Sequence, residues 1–172
     1  CSDKRLDLLK YKEKPCVIVF DVQPVKNYFY SALAPSVNFY SEKNTIIFLD
    51  WINQLAIDYD INIIIKRKRY NNLISKNYIK KIATLKKTPL WDEIDPSIDA
   101  NSVLEGVNPK ATISIPFTST AFISRAKKIP SIYLDPTGKL DKEFHLNDEI
   151  PLLSSKENLF HWYKNLHLNK LN

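Results

Sequence analysis

The residues Thr118-Ser119-Thr120 have the composition of an anion-binding turn. They follow Pro116 and Phe117, which end the apolar run 111–115. The first N–H groups of a helix have no partner inside that helix, and neighbouring hydroxyls can add further hydrogen bonds to a bound anion. An ordinary helix cap needs only one such hydroxyl. We therefore expect residues 116–120 to bind a phosphate or a carboxylate, with a simple cap as the alternative.

A second candidate group is the basic run Lys66-Arg67-Lys68-Arg69, which follows the β-branched residues 61–65. If strand geometry continues into the run, side chains alternate and Lys66 shares a face with Lys68. One such pair can neutralise a diphosphate or a sugar acid, and Arg69 is a further candidate. A solvated charge run and a nucleic-acid patch are the alternatives.

The positive charge of the chain is local. The net charge is +6, yet residues 61–91 contain nine basic residues and no acid, and the remaining residues carry −3. Such a concentration of charge indicates an anionic ligand or surface. Only Tyr70 adjoins the basic run as an aromatic residue, and no recognised nucleic-acid module is present, so we expect no stable nucleic-acid complex.

Acids or bases for catalysis are harder to assign. Asp21 and Gln23 follow the apolar run 16–20, Asp135 follows residues 131–134, and Glu105 ends a short helical segment. Each could contact a ligand, but no nucleophile–base motif is visible, so the catalytic residue stays unassigned.

Several site classes are excluded or disfavoured by composition. Two glycines are too few for a glycine-rich phosphate loop, and two cysteines and three histidines show no metal-binding spacing. We therefore expect no metal and no cofactor. No apolar run reaches the length of a transmembrane helix, and we expect a cytoplasmic protein.

The elements that must position these residues alternate between strand and helix. Strands are predicted at 16–20, 61–65, 90–94, 111–115, 131–134 and 150–153. Helices are predicted from Ser41 or Asn44, at 75–85, at 99–106 with Gly106 closing the helix, at 120–128 and at 156–167. This alternation predicts an α/β domain, a Rossmann-like and mostly parallel sheet with helices on both faces. It spans residues 16–172, after a lead-in segment 1–15.

Parallel sheets bind ligands at the carboxyl ends of their strands. Residues 66–69, residues 118–120 and Asp135 all follow predicted strands. We therefore expect these three groups to line one cleft.

An ordered set of sequence blocks resembles the bacterial polysaccharide-biosynthesis proteins named for their PFTS motif. The blocks are residues 20–24, 65–69, 99–105, 111–121 and 128–136, and the motif itself stands at Pro116, Phe117, Thr118 and Ser119. The resemblance covers roughly residues 16–165.

The resemblance implies the donor-binding half of a two-domain, GT-B-type glycosyltransferase for capsule, O-antigen or lipopolysaccharide synthesis. The family is distantly similar to enzymes that use CMP-activated sugar acids, which implies a nucleotide sugar, possibly CMP-linked, as substrate. Carried over to this sequence, the phosphate would be contacted by Thr118, Ser119 and Thr120 and neutralised by Lys66, Lys68 or Arg69. The His-Pro pair of those relatives is absent at this position.

The resemblance also predicts partners. A glycan acceptor would be held by an acceptor domain or a partner protein, and the chain alone is expected to bind donor without transferring it. Peripheral contact with the inner membrane is expected, and a non-catalytic role in polysaccharide assembly stays open as an alternative.

Overall fold

The structure is a computed structural model that describes residues 8, 11, 15–21, 23–24, 41–68, 74–116, 118–140 and 150–168. These residues form six strands and five helices. The strands are β1 (Cys16–Asp21), β2 (Asn62–Arg67), β3 (Trp91–Glu93), β4 (Ala111–Ser114), β5 (Ser131–Leu134) and β6 (Leu152–Leu153). The helices are α1 (Glu42–Tyr59), α2 (Lys76–Leu85), α3 (Ala100–Val107), α4 (Thr120–Ala126) and α5 (Lys156–Leu168).

All six strands lie in one sheet with the order β3-β2-β1-β4-β5-β6, and every pairing is parallel. This confirms the predicted Rossmann-like α/β arrangement. From β1 the chain builds the sheet towards β3, and it then returns to the other side of β1 and continues towards β6. The strand order therefore reverses between β1 and β4, which is where parallel α/β sheets bind ligands.

The two faces of the sheet bury two separate apolar clusters. Val19 and Ile65 pack on one face with Phe48 of α1, α2 and α5. Ile18 and Ile64 pack on the other face with α3. Because β1 and β2 are covered on both sides, their sequences are continuous apolar runs without polar alternation.

Three helices begin at residues that cap them. Ser41 precedes α1, Ser75 precedes α2 and Asp99 precedes α3, and the side-chain oxygen of each accepts a hydrogen bond from the N–H three residues later. These caps fix the starting points of the helices, and of the two caps that the sequence offered for α1 the structure uses Ser41.

The end of α3 corrects a prediction. Gly106 does not close this helix, because α3 continues to Val107 and the left-handed residue at its end is Asn108, with φ of 52°. Gly106 instead makes room for Leu8, since a Cβ at position 106 would lie 2.6 Å from Leu8 Cδ1.

The segment before β1 packs on the domain. Leu8 is only 2% exposed and belongs to the cluster beneath α3. The Tyr11 hydroxyl donates to Oδ2 of Asp92 in β3 at 2.5 Å. At least these two residues of the predicted lead-in are thus part of the folded unit.

Candidate functional site

A cleft of about 700 Å³ opens at the carboxyl ends of β1, β2 and β4, at the point where the strand order reverses. Four chain segments line it: the end of β1, the end of β2, the loop from β3 into α3, and the turn between β4 and α4. Their residues are Phe20, Asp21, Lys66, Arg67, Lys68, Pro96, Ser97, Ile98, Asp99, Ala100, Thr118, Ser119 and Thr120.

Lys66 places a fixed positive charge on the β2 side of the cleft. It lies within β2, which extends two residues beyond the apolar run, and it is buried. Its Nζ donates to the carbonyl oxygens of Arg67 at 2.8 Å and Pro96 at 3.0 Å. Burial lowers the pKa of Lys66, while the carboxylates of Asp95 and Asp99 act in the opposite direction.

The next two cations have different environments. Arg67 borders the cleft as well, but its guanidinium lies on the α2 side of the sheet and forms an ion pair with Glu93, which also accepts a hydrogen bond from Lys86 at 2.7 Å. Lys68 is exposed in the cleft, and no acidic partner is found for it within the described segments. Lys66 and Lys68 thus both line the cleft, in keeping with their predicted alternation, whereas Arg69 lies outside the described residues.

Thr118 and Thr120 belong to a directed chain of hydroxyl groups. Thr118 Oγ1 donates to the carbonyl oxygen of Ile115 at 2.8 Å. Oxygen distances of 3.1 Å then join Thr118 to Thr120 and Thr120 to Ser114. Because a carbonyl can only accept, Thr120 must donate to Thr118, and Ser114 must donate to Thr120. The protons of both threonine hydroxyls are therefore used inside the turn.

Ser119 differs from its neighbours. It is exposed in the cleft, and its side chain makes no capping hydrogen bond to α4. The backbone of the turn is held in place by Tyr133, whose hydroxyl donates to the carbonyl oxygen of Thr118 at 2.7 Å. Ser119 is thus the hydroxyl in this turn that is best placed to donate to an anion.

Asp21 lies at the end of β1, between the basic strand end and the hydroxyl turn. It is only 4% exposed, and its Oδ2 accepts a short hydrogen bond from the Tyr78 hydroxyl of α2. Burial, reinforced by the neighbouring Asp21 carboxylate, raises the pKa of Tyr78, so the phenol stays protonated and donates. The carboxylate of Asp21 is thus directed towards α2, on the same side of the sheet as Arg67, with which Asp21 pairs in register.

A family model described as "Polysaccharide biosynthesis PFTS motif protein" matches residues 1–163. The chain belongs to this family. The family name indicates a role in polysaccharide biosynthesis. A comparison with curated proteins found no match to the chain.

The PFTS motif occupies the turn after β4. Thr118 and Ser119 line the cleft, and Pro116 is buried beneath it. Phe117 lies outside the described residues. The second half of the motif, Thr118 and Ser119, therefore borders the cleft at the reversal point of the sheet.

Asp135 does not line this cleft, which corrects the prediction of one shared site. It is fully buried after β5, and β4 separates β5 from β1. Its Oδ1 accepts the N–H of Thr137 at 2.7 Å, and its Oδ2 accepts the N–H of Leu140 at 3.0 Å. These bonds hold the loop after β5 in its conformation, so the Asp135 carboxylate has a structural role.

Two other polar candidates also lie outside the cleft lining. Glu105 is exposed on α3, where its Oε1 accepts a hydrogen bond at 2.7 Å from Nζ of Lys127, the residue directly after α4. Gln23 is half-buried beyond the end of β1, beside Pro24, whose carbonyl oxygen accepts the N–H of Ser75. Neither contributes to the space between the cleft walls.

The loop 96–100 was missed by sequence reasoning, although a signal was present. It follows the carboxyl end of β3, so the rule applied to β2 and β4 applies here too. Asp99 combines two roles, since it caps α3 through Ser102 and also lines the cleft. Those hydrogen bonds with Ser102 lower the pKa of Asp99.

The basic stretch 61–91 is partly neutralised by acids from outside it. Arg67 and Lys86 share Glu93, and Lys81 forms an ion pair with Asp50 of α1. The local charge on this face is therefore lower than the sequence suggests.

Searches of the described ranges found neither a cluster of three or more potential metal ligands nor a helix long and apolar enough to cross a membrane.

Proposed function

We propose that the chain is the donor-binding half of a glycosyltransferase in bacterial surface polysaccharide synthesis, and that its cleft holds a nucleotide sugar. The observation that carries this proposal is the meeting of Lys66, Lys68 and Ser119 around one cleft at the reversal point of the sheet. Its volume of about 700 Å³ lies in the range of small-molecule sites, roughly 300–1,000 Å³. Membership of the PFTS family supplies the biosynthetic setting.

The charges of the cleft suit a ligand of limited negative charge. Lys66 is held in one position by two carbonyl oxygens, and Lys68 is free to follow the ligand. Asp21 and Asp99 line the same space and would repel a densely charged polyanion. A phosphate linked to neutral, hydroxyl-bearing groups can pair with the two lysines and brings little further negative charge close to the two aspartates.

In this proposal the chain supplies the donor and another domain or partner protein supplies the glycan acceptor. The catalytic base then comes from the acceptor side. The setting would be the cytoplasm, at the inner face of the membrane where surface polysaccharides are assembled.

The proposal is tested by calorimetric titration of the purified chain with CMP, UMP, UDP and a CMP- or UDP-linked sugar. We expect weak binding, with a Kd on the order of 1 mM, because in this proposal the titrated chain contacts the donor from one side only. The variant Lys68→Ala should weaken binding about two- to fivefold, the range for an exposed charge pair. The matched control is Lys80→Ala, which removes an exposed lysine of α2 and should change nothing.

A nucleic-acid role is the second candidate, because Lys76 and Lys80 are exposed on α2 and Lys87 is exposed shortly after its end. Binding of single-stranded RNA should then weaken steeply as salt rises. The donor-binding proposal is wrong if no nucleotide binds, RNA binds with this salt dependence, and Lys80→Ala weakens the binding of RNA.

A further inference from the structure

We propose that the exposed side of α2, together with the turn after it, docks on an anionic lipid membrane. The docking surface consists of Lys76, Ile79, Lys80 and Lys87, all four of which are exposed, and these residues form the α2 patch. This inference goes beyond the proposed function, because it concerns a different surface: α2 supplies none of the residues that line the cleft. A chain bound to a membrane through this patch can therefore still bind a ligand in the cleft.

The first support is the positive charge of the α2 patch. Residues 61–91 contain nine basic residues and no acid. Three acids of neighbouring elements approach α2, and each binds a residue outside the patch: Glu42 binds Ser75 and Asn77, Asp50 binds Lys81, and Glu93 binds Lys86. Within the described ranges, no acidic partner is found for the three lysines of the patch. The patch is thus complementary in charge to a surface of anionic phosphate groups.

The second support is the apolar side chain within the patch. Ile79 is 46% exposed, which is unusual for a large apolar residue in this chain. Lys76 precedes it by three residues and Lys80 by four, so these side chains share one side of the helix. Ile79 and Lys87 also line one surface pocket of about 350 Å³. An apolar side chain among lysines suits the headgroup region of a membrane, where apolar burial and attraction to anionic lipids add.

The aromatic residues of this region favour a lipid surface over a nucleic acid. Sites for single-stranded nucleic acid combine basic groups with aromatic rings on which the bases stack. In the stretch 74–93, which the structure describes completely, the aromatic residues are Tyr78 and Trp91, and both are buried. Ile79 offers no such stacking, but it can be buried among lipid headgroups. Binding of RNA is therefore an outcome of the test rather than the proposal.

The test is sedimentation of the purified chain with vesicles. The probes are vesicles of phosphatidylcholine alone and vesicles in which about one third of the lipid is anionic phosphatidylglycerol. We expect binding to the anionic vesicles only. This binding should weaken as the salt concentration rises, because salt screens the attraction between exposed lysines and the lipid phosphates.

Variants then assign the binding to the α2 patch. Lys76→Ala, Lys80→Ala and Lys87→Ala should each weaken binding to anionic vesicles about fivefold, the effect of one lysine near such a surface. Ile79→Ser should weaken it about three- to tenfold, because 46% of this residue is still exposed and can be buried in the membrane. The matched control is Lys164→Ala, which removes the same charge from an exposed position on α5 and should leave vesicle binding nearly unchanged. Thermal melting checks that each variant is folded.

The outcomes separate this inference from the proposed function. The inference is overturned if the anionic vesicles do not bind, or if Lys164→Ala weakens their binding as much as Lys80→Ala does. It is also overturned if single-stranded RNA binds through Lys80 and Ile79→Ser leaves that binding unchanged, while the vesicles do not bind. Nucleotide binding without vesicle binding overturns the inference and leaves the proposed function standing. Vesicle binding through the patch without nucleotide binding supports the inference and contradicts the proposed function.

Discussion

Gly106 offers a test of how the segment before β1 is held. A Cβ built at this position would lie 2.6 Å from Leu8 Cδ1 and 2.8 Å from Leu8 Cβ, closer than real side chains approach. We therefore expect Gly106→Ala to force Leu8 out of its place. Overpacking of this kind costs about 1–3 kcal/mol.

An opposing effect works in the same variant. Gly106 lies inside α3, and alanine stabilises a helix interior by about 1 kcal/mol relative to glycine. The net destabilisation should then be about 0–2 kcal/mol. In a Leu8→Gly background, both clashing atoms of the side chain are absent, so the same change should stabilise the protein by about 1 kcal/mol.

The measurement is a double-mutant cycle by urea unfolding, with the coupling free energy as the result. We expect a coupling of about 1–3 kcal/mol between the two positions. If Gly106→Ala stabilises the wild-type and the Leu8→Gly backgrounds equally, Leu8 does not pack against α3 and this part of the fold is wrong.

Three further predictions address other parts of the molecule. Ser75→Ala should lower the free energy of unfolding by about 1–2 kcal/mol at pH 7, because Ser75 caps α2 and donates to Glu42. That hydrogen bond lowers the pKa of Glu42 from 4.5. Its contribution to stability is therefore present above pH 4.5 and is lost as the pH falls through the folded-state pKa. If the difference in unfolding free energy between wild type and variant grows in acid, this prediction is wrong. Thr112→Val should raise the free energy of unfolding by about 1 kcal/mol, because the Thr112 hydroxyl is buried with no partner among the described residues. A lower thermal unfolding temperature of the variant would indicate instead that this hydroxyl makes a stabilising hydrogen bond. Burial raises the pKa of Cys16 to about 11, so mass mapping should find its thiol unmodified by iodoacetamide at pH 8 until the protein unfolds, and rapid native labelling would contradict this burial.

The sequence alone was enough to predict those strands and helices that are marked by a local pattern of residues. β1 and β2 are continuous apolar runs, and Ser75 and Asp99 stand directly before their helices. Local patterns of this kind identified the parallel α/β class and most element boundaries within a few residues.

Features that depend on distant partners were not predictable in the same way. β2 continues through Arg67, which pairs with Asp21 of β1 and forms an ion pair with Glu93, 26 residues later. Gly106 was misassigned as a cap because its partner Leu8 lies almost 100 residues earlier. The strand order, which places Asp135 beyond β4, is likewise a property of the assembled sheet.

The candidate site shows the same division. Residue types and spacing identified the basic run and the hydroxyl turn, and residues of both line the cleft. The direction of the hydroxyl chain could not be read from the sequence, because it depends on the carbonyl of Ile115 and the side chain of Ser114 meeting Thr118 and Thr120. The chemistry offered to a ligand therefore differs from what three adjacent hydroxyls suggest.

The most direct test of the central claim, that the cleft is the ligand site, is amide chemical-shift mapping. The ¹⁵N-labelled chain would be titrated with CMP and with UDP. The account predicts shifts that cluster in residues 66–68, 97–100 and 118–120 and that weaken in Lys68→Ala but not in Lys80→Ala. Shifts confined to the outer face of α2, or no saturable shifts with either nucleotide, would contradict it.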